Sequence, residues 1–429
     1  MEGQRPEGRQ RRGVSGGPLD GKPFEVTGYE VWSAWRKVRE NKGAPGVDGQ
    51  SIAAFEERLE DNLYRVWNRM SSGTWFPPPV RAVEIPKAGG TRTLGVPTIA
   101  DRVAQTVAAH RIGVVTEGFF HRDSYGYRPG RGAHDALAVT RKRCWDYDWV
   151  VDLDVEKFFD SVPHDLVVKS VERLNLPPWV LLYVKRRLAA PVMMPVGQVV
   201  ARDRGTPQGS AVSPVIANLF LHWAFDAWMD REFPDCPFER FADDAVVHCK
   251  SEARARQVLA ALEQRMGEAG LRLHPAKTRI VYCKDSRRRG LWDGPVSFDF
   301  LGYAFRPRDT MGKNGRFTGF DLAASPKAVK RMSEAVAGWQ LHRHVNLTWE
   351  QLAAWIAPVI RGWMDYYGRY RKSELYPLLA RINHHVWKWI RAKYKRLRPV
   401  KAMIRAWERV IIQNPGLLPH WQWVTRAWY

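Results

Sequence analysis

The stretch Phe238-Glu239-Arg240-Phe241-Ala242-Asp243-Asp244-Ala245-Val246-Val247-His248-Cys249 sets two adjacent carboxylates between two short apolar runs. Aromatic and β-branched residues favour the pleated surface and Asp favours turns, so the stretch predicts a hairpin with the Asp pair as its turn. Adjacent aspartates are common in solvated turns, and the pair alone does not separate that reading from a cation site. A third carboxylate changes the balance. In Trp149-Val150-Val151-Asp152-Leu153-Asp154-Val155-Glu156-Lys157-Phe158-Phe159-Asp160 an apolar strand ends in an acid and turns into an aromatic-rich segment. Hard divalent cations take oxygen ligands from a few carboxylates plus substrate phosphates, and two-ion phosphoryl transfer needs acids converging from different elements. Asp154, Asp243 and Asp244 can supply them.

Phe241-Ala242-Asp243-Asp244 resembles the Tyr-Ala-Asp-Asp box of reverse transcriptases, and Asp154 to Asp160 resembles their first palm motif. The resemblance is most specific to the enzymes encoded by group II introns, reverse transcriptases that double as maturases, and its blocks follow in the expected order over roughly residues 30 to 429. Phe241 departs from the usual Tyr; the missing hydroxyl bears on rate or fidelity, since no metal ligand is lost. The resemblance implies an α+β right-hand polymerase, with fingers and palm followed by an α-helical thumb that is also the maturase surface. It implies RNA-templated DNA synthesis with two Mg²⁺ ions, Mn²⁺ being a substitute. It also implies assistance to splicing of the intron RNA, and mobility by target-primed reverse transcription. The partners would be group II intron RNA, target DNA, primer-template duplex and dNTP, and the protein would be a monomer or homodimer.

Charge agrees with a nucleic-acid partner: 67 Lys+Arg against 45 Asp+Glu give +22, the footprint of a phosphate-binding surface. A merely basic solvated protein or a membrane-surface binder is the alternative that composition leaves open. No apolar run approaches the eighteen or so residues that span a bilayer, and the N-terminus lacks a signal-peptide core, so a cytoplasmic location is expected, on the bacterial nucleoid during mobility. Cys144, Cys236, Cys249 and Cys283 show no paired spacing, which argues against a zinc module and a disulfide framework.

Residues 1–24, rich in Gly, Arg, Gln and Pro, read as a flexible basic arm. Residues 25–75 hold two helical patterns around Lys42 to Gly49, similar to the N-terminal extension of non-retroviral reverse transcriptases, or else a plain helix–helix connection. Fingers and palm are expected over 76–319. There Val80 to Pro97 reads as a hairpin around Gly89-Gly90, with Lys87 and Arg92 near its tip. In the family, matching positions clamp the incoming triphosphate; as plain surface residues the two would serve solubility. Tyr125 to Gly132 matches the next block, with Arg128 and Arg131 either touching template phosphate or scaffolding the fingers.

The resemblance further makes Asp154 a ligand of both ions, with Val155 lending its carbonyl. Phe159 falls where related polymerases keep an aromatic gate against the ribose 2′-hydroxyl, a role compatible with a core ring. Arg204 to Pro214 resembles the Pro-Gln-Gly box, so Gln208 is carried over as a contact to the nucleotide. Ser213 reads as an N-cap and Pro214 as the first residue of an apolar helix to about Met229. An amphipathic helix follows from Ala253 to Ala269, and Lys277 is the candidate to neutralise or protonate pyrophosphate.

Residues 320–429 carry 19 Lys+Arg, 6 Asp+Glu and 10 of the 20 Trp, which marks a helical basic module. Leu352, Trp355, Ile356, Val359, Ile360, Trp363, Tyr366, Tyr367 and Tyr370 predict one apolar helix face, kinked at Pro358. Arg361 to Tyr367 resembles the maturase hallmark block, placing thumb and maturase domain at 320–397. Lys388, Arg391, Lys395 and Arg396 are the candidate RNA contacts. Residues 398–429 are similar to a minimal DNA-binding tail, and the compact, endonuclease-free lineage often called class C is expected. A non-enzymatic splicing factor and a host-adopted reverse transcriptase in defence or repair are the alternatives; the clustered carboxylates speak against the first.

Overall fold

The computed structural model describes residues 21–87, 90–288, 290–312 and 315–427, with the Lys87 side chain left aside. Its strands are β1 (Val80–Lys87), β2 (Gly90–Val96), β3 (Trp149–Leu153), β4 (Val192–Met193), β5 (Val199–Val200), β6 (Phe238–Phe241), β7 (Asp244–Cys249), β8 (Arg279–Tyr282), β9 (Phe298–Phe300), β10 (Tyr303–Gly312) and β11 (Gly315–Ala324). The chain forms two compact units and enters each more than once. One gathers the residues up to His121 with 156–227 and 266–271; the other gathers 122–155, 228–265 and 272–429.

In the first unit, helix Gly28–Glu40 starts at a capping box, with Thr27 Oγ1 accepting from the Glu30 amide and the Glu30 carboxylate accepting from the Thr27 amide. Its Trp35 stacks on Phe55, ring centres 4.9 Å apart, and the predicted second helix is two pieces, Ile52–Glu56 and Leu59–Ser71. The expected arm falls mostly on residues 1–20, outside the described ones. Its last residues are anchored: Lys22 sits 3.4 Å over the Trp67 ring and the Phe24 amide donates to Ser71 at 3.1 Å. The predicted hairpin is present as the antiparallel β1–β2 pair, widened by β4 and β5 into the order β2-β1-β4-β5.

Ser213 is the first residue of helix Ser213–Leu221 rather than its cap. Its hydroxyl donates inward to the Pro207 carbonyl at 2.9 Å and lies against Thr206, so it ties the preceding loop. The apolar run beyond continues through a π-helical turn, His222–Asp226, into helix Ala227–Glu232. No propensity signal announces such a one-residue insertion.

The second unit is built on two sheets. One has the order β6-β7-β3-β8 with every neighbour antiparallel, and the other the order β11-β10-β9. The long β10–β11 hairpin was not foreseen, because only Tyr303–Phe305 and the last residues of β11 show a buried strand pattern while the tip is polar. One hydrophobic core runs from Phe298, Phe305 and Phe320 through Leu352, Ile356 and Ile360 to Trp389, Trp407 and Trp421. The compositional shift at Phe320 therefore leaves no break in packing. Helix Trp349–Tyr367 buries Leu352, Ile356, Ile360, Met364 and Tyr367 and passes through Pro358 without ending, since the flanking turns are held in the core. Trp355 and Val359, expected on that face, are 40% exposed; they form a second stripe one step round the helix. The predicted tail is packed: Leu418, His420 and Trp421 are buried, because a Trp- and Leu-rich segment repays its ordering by joining the core. Cysteines distant in sequence meet inside the unit, Cys236 Sγ lying 3.8 Å from Cys249 Sγ, and all four are free thiols.

Candidate active site

The acid hairpin is a two-residue turn. Phe241 pairs with Asp244, leaving Ala242 and Asp243 at the tip, so Asp244 is the first residue of β7 rather than part of the turn. Ala242 has φ +57, a left-handed conformation that costs a residue with a Cβ about 1–2 kcal/mol. Beside it, β3 pairs Leu153 with Ala245, which places Asp154 one residue beyond the end of that strand. The Asp154 carbonyl accepts from the His274 amide at 2.8 Å, and Val155 forms an isolated bridge with Leu273.

A cavity of about 260 Å³ opens at this edge, lined by Asp152, Asp154, Asp244, Lys277, Arg279, Asp299 and Lys327 among others. The cations are matched to the acids. Lys277 Nζ lies 3.0 Å from Asp154, Arg279 Nε 3.2 Å from Asp152, and Lys327 Nζ 3.5 Å from Asp299. Asp152, Arg279, Asp299 and Lys327 were missed by sequence reasoning. Asp152 lies within β3 and Arg279 is 127 positions away from it, so no short window of sequence joins the two. Asp243 does not line the cavity but acts on Asp244. Desolvation and the carboxylates of Asp243, Asp154 and Asp152, offset by Lys277, push the Asp244 carboxyl up to about 7. Asp244 is the most exposed residue of its strand and opens onto the cavity that it lines. Burial raises Asp152 to about 6 against the pull of Arg279.

Carboxylate oxygens crowded until one resists ionising, with lysine and arginine as their present counter-ions, suit a hard divalent cation. Among the described residues no three His, Cys, Asp or Glu side chains already converge as a ligand set.

In the other unit, the Pro-Gln-Gly loop gathers the residues expected at the nucleotide. Arg92 Nε donates to Gln208 Oε1, and the Gln208 carbonyl accepts from the Gly95 amide at 2.7 Å, so the loop is stitched to β2. The Phe159 carbonyl accepts from the Thr206 amide at 2.7 Å, and Phe159 is 8% exposed. Gly205 (φ +75) is needed at this crossing: a Cβ there would stand 2.7 Å from the Phe159 carbonyl oxygen. Lys87 carries the last pair of the β1–β2 ladder, opposite Gly90, but its side chain lies outside the described residues.

The expected RNA contacts divide. Arg128 is 8% exposed and donates to the Ser124 carbonyl at 2.8 Å, which is local scaffolding; the loop around it folds inward, and burial leaves a guanidinium little for phosphate. Arg131, half-buried, donates to the Arg122 carbonyl at 2.6 Å. Lys388 and Arg391 stand exposed on helix Tyr376–Lys393 and line a cavity with His342 and His385, while Lys395 and Arg396 are exposed on the short helix that follows. Among the described residues, no helix is long and apolar enough to cross a membrane.

Residues 85–305 match the family model of reverse transcriptase (RNA-dependent DNA polymerase), and residues 329–407 match the group II intron maturase-specific domain. Protein YkfC of Escherichia coli (strain K12) is 30% identical over 326 residues, 65% of this chain and 81% of that protein. The group II intron-encoded protein LtrA of Lactococcus lactis is 27% identical over 197 residues, 44% of this chain and 32% of LtrA. The putative COX1/OXI3 intron 2 protein of Saccharomyces cerevisiae is 30% identical over 203 residues, 47% of this chain and 23% of that protein. The match thus spans most of YkfC but a third or less of the other two. With both domains matched, the chain belongs to the reverse transcriptases, RNA-directed DNA polymerases, of the group II intron-encoded kind that carry a maturase domain.

Proposed function

We propose that the chain joins a deoxynucleoside triphosphate to a primer 3′-hydroxyl on an RNA template, using Asp154, Asp243 and Asp244, with the Val155 carbonyl, to hold two Mg²⁺ ions that Mn²⁺ can replace. Reverse transcriptases are in general metal-dependent, and the observation that carries the reading is the cavity shared by Asp154, Asp244 and Lys277. When bound, the ions supply positive charge to the attacking and leaving oxygens. The acids hold and orient, and a dication among them would relieve the like-charge crowding that raises Asp244. Lys277, the counter-ion of Asp154 at 3.0 Å, neutralises or protonates the departing pyrophosphate in this reading.

Arg92 and Lys87 take the triphosphate, the first through a planar fork and the second as a point charge. Gln208 contacts the nucleotide and Phe159 excludes the 2′-hydroxyl. Lys388, Arg391, Lys395 and Arg396, with Arg131 in a lesser part, bind intron RNA, and target DNA meets Lys401, Arg405 and Arg409, exposed on helix Val400–Gln413. In function the chain divides into an N-terminal extension (25–75), fingers and palm (76–319), thumb and maturase surface (320–397) and a DNA-facing end (398–429). Primer extension with Mg²⁺ tests the acids: Asp154→Asn and Asp243→Asn should each abolish it and leave RNA affinity within a few fold. Extension retained by either variant removes that residue from the site.

A further inference from the structure

Arg240 is 1% exposed, an unusual place for a guanidinium, and it lies directly beneath the acid turn. One of its terminal nitrogens donates to the Ala242 carbonyl at 2.9 Å and the other to Ser124 Oγ at 2.8 Å. The backbone of the same residue is clamped as well. Its amide donates to the Asp123 carbonyl at 2.9 Å and its carbonyl accepts from the Tyr125 amide at 2.8 Å, so Ser124 pairs with it in parallel. Gly126 completes the cradle: a Cβ on it would stand 2.4 Å from the Ala242 nitrogen. On the opposite face of β6, fully buried Glu239 is held by Arg143 and by His248, whose Nε2 is 2.6 Å away.

We infer that Arg240, seated on Ser124 and backed by Gly126, is a positioning residue: it grips the Ala242 carbonyl and so fixes the peptide that presents Asp243. The physical need is visible in the turn. A two-residue tip with Ala242 in the left-handed region is not the conformation that a residue with a Cβ prefers. A rigid fork from below supplies the brace, as ligands of metal sites are held by partners behind them. The inference rests on the reading of Asp243 as a cation ligand.

The test uses the full chain in four forms: Arg240→Met, Arg240→Lys, Gly126→Ala and Asp243→Asn. Hydrogen–deuterium exchange of the metal-free protein reports the turn, and electron paramagnetic resonance titration with Mn²⁺ alone reports the cation site. Arg240→Met should speed exchange at Ala242 to Ala245 while β3 and β8 stay protected, and should weaken Mn²⁺ binding roughly tenfold or more. RNA affinity should stay within twofold, and the fall should be in the affinity of the Mn²⁺ site and not in the number of sites, which loss of folded protein would reduce instead. Gly126→Ala, which keeps Arg240 and pushes on the Ala242 nitrogen, should act in the same direction, and Arg240→Lys should recover part of the loss. Normal exchange and normal Mn²⁺ binding in both Arg240→Met and Gly126→Ala overturn the inference, with Asp243 still a ligand if Asp243→Asn has lost Mn²⁺. Unaltered Mn²⁺ binding in Asp243→Asn overturns the ligand assignment instead, and exchange at the turn then decides whether Arg240 braces it. If Arg240→Met fails to fold, Arg240→Lys carries the same decision, since it keeps the charge and removes the two-pronged donor.

Discussion

Phe159 answers two demands at once. Its ring is buried against Phe158, centres 5.3 Å apart and nearly perpendicular, and its carbonyl anchors the loop that carries Gln208, so it is a core residue whatever else it does. A gate against ribose adds a steric role to that structural one. Phe159→Val keeps a branched apolar side chain in the core and opens room where the ring ended. The ratio of kcat/KM for dNTP to that for NTP should fall by roughly ten- to hundredfold, the range that small changes of pocket volume command. Single-nucleotide incorporation with each substrate measures it, and unchanged discrimination would leave Phe159 as a core ring only. The same scale shows why residue type misleads. Arg128 and Arg131 are three positions apart in one loop, yet the first is inside and the second half-exposed.

Among the elements, the C-terminal segment shows how packing can hide a titratable group. The Asn383 side-chain amide donates to the carbonyls of Val424 at 3.0 Å and Arg426 at 2.8 Å, so its oxygen is the acceptor for His420 Nε2 at 2.6 Å and Trp421 Nε1 at 3.0 Å. His420 must then carry its proton on Nε2, leaving a buried Nδ1 without a hydrogen-bond partner. Burial accordingly drives its pKa down to about 3. In the unfolded chain an imidazole titrates near 6.5, so there the unfolded state takes up the proton first. The neutral folded form is fully favoured above about pH 6.5, and stability is lost as pH falls from there toward 3, by about 1.4 kcal/mol per unit. His420→Gln should lower stability at pH 7.5 yet flatten this segment's contribution to the acid slope. Urea midpoints at pH 7.5 and 5.5 for parent and variant check it, and parallel losses in both proteins would remove His420 as the cause.

For the whole molecule, the governing quantity is charge. The residues from Phe320 onward hold +13 of the total +22, and Lys388, Arg391, Lys395 and Arg396 are exposed there. Every phosphate that the protein ceases to neutralise should flatten the dependence of log K on log salt by about 0.7 to 0.9. Reversing all four to Glu should therefore reduce the slope for structured intron RNA by roughly two to four units and lower splicing with it. The acids are untouched by this change, so extension on a short primer-template at saturating enzyme should persist at a reduced level. Filter binding across a salt series gives the slope. An unchanged slope with normal splicing would show that this face is only solvated.

Local pattern sufficed for the acid hairpin, the strand leading to Asp154, the β1–β2 hairpin and the two long helices near the C-terminus. Period two, period 3.6 and turn chemistry are properties of neighbouring residues, and these elements obey them. The charge imbalance is likewise a sum over residues, unaffected by folding. Tertiary structure alone decided which charged groups share the cavity, because partners such as Asp154 and Lys277 are 123 positions apart. It made Trp355 an exposed residue and Trp421 a buried one, although both are Trp in apolar surroundings of sequence. It also turned Arg240 from one more basic residue of a basic protein into the brace beneath Ala242. Burial and partnership are settled by which surfaces meet, and the energy of that meeting is spread over residues that no short window of sequence contains.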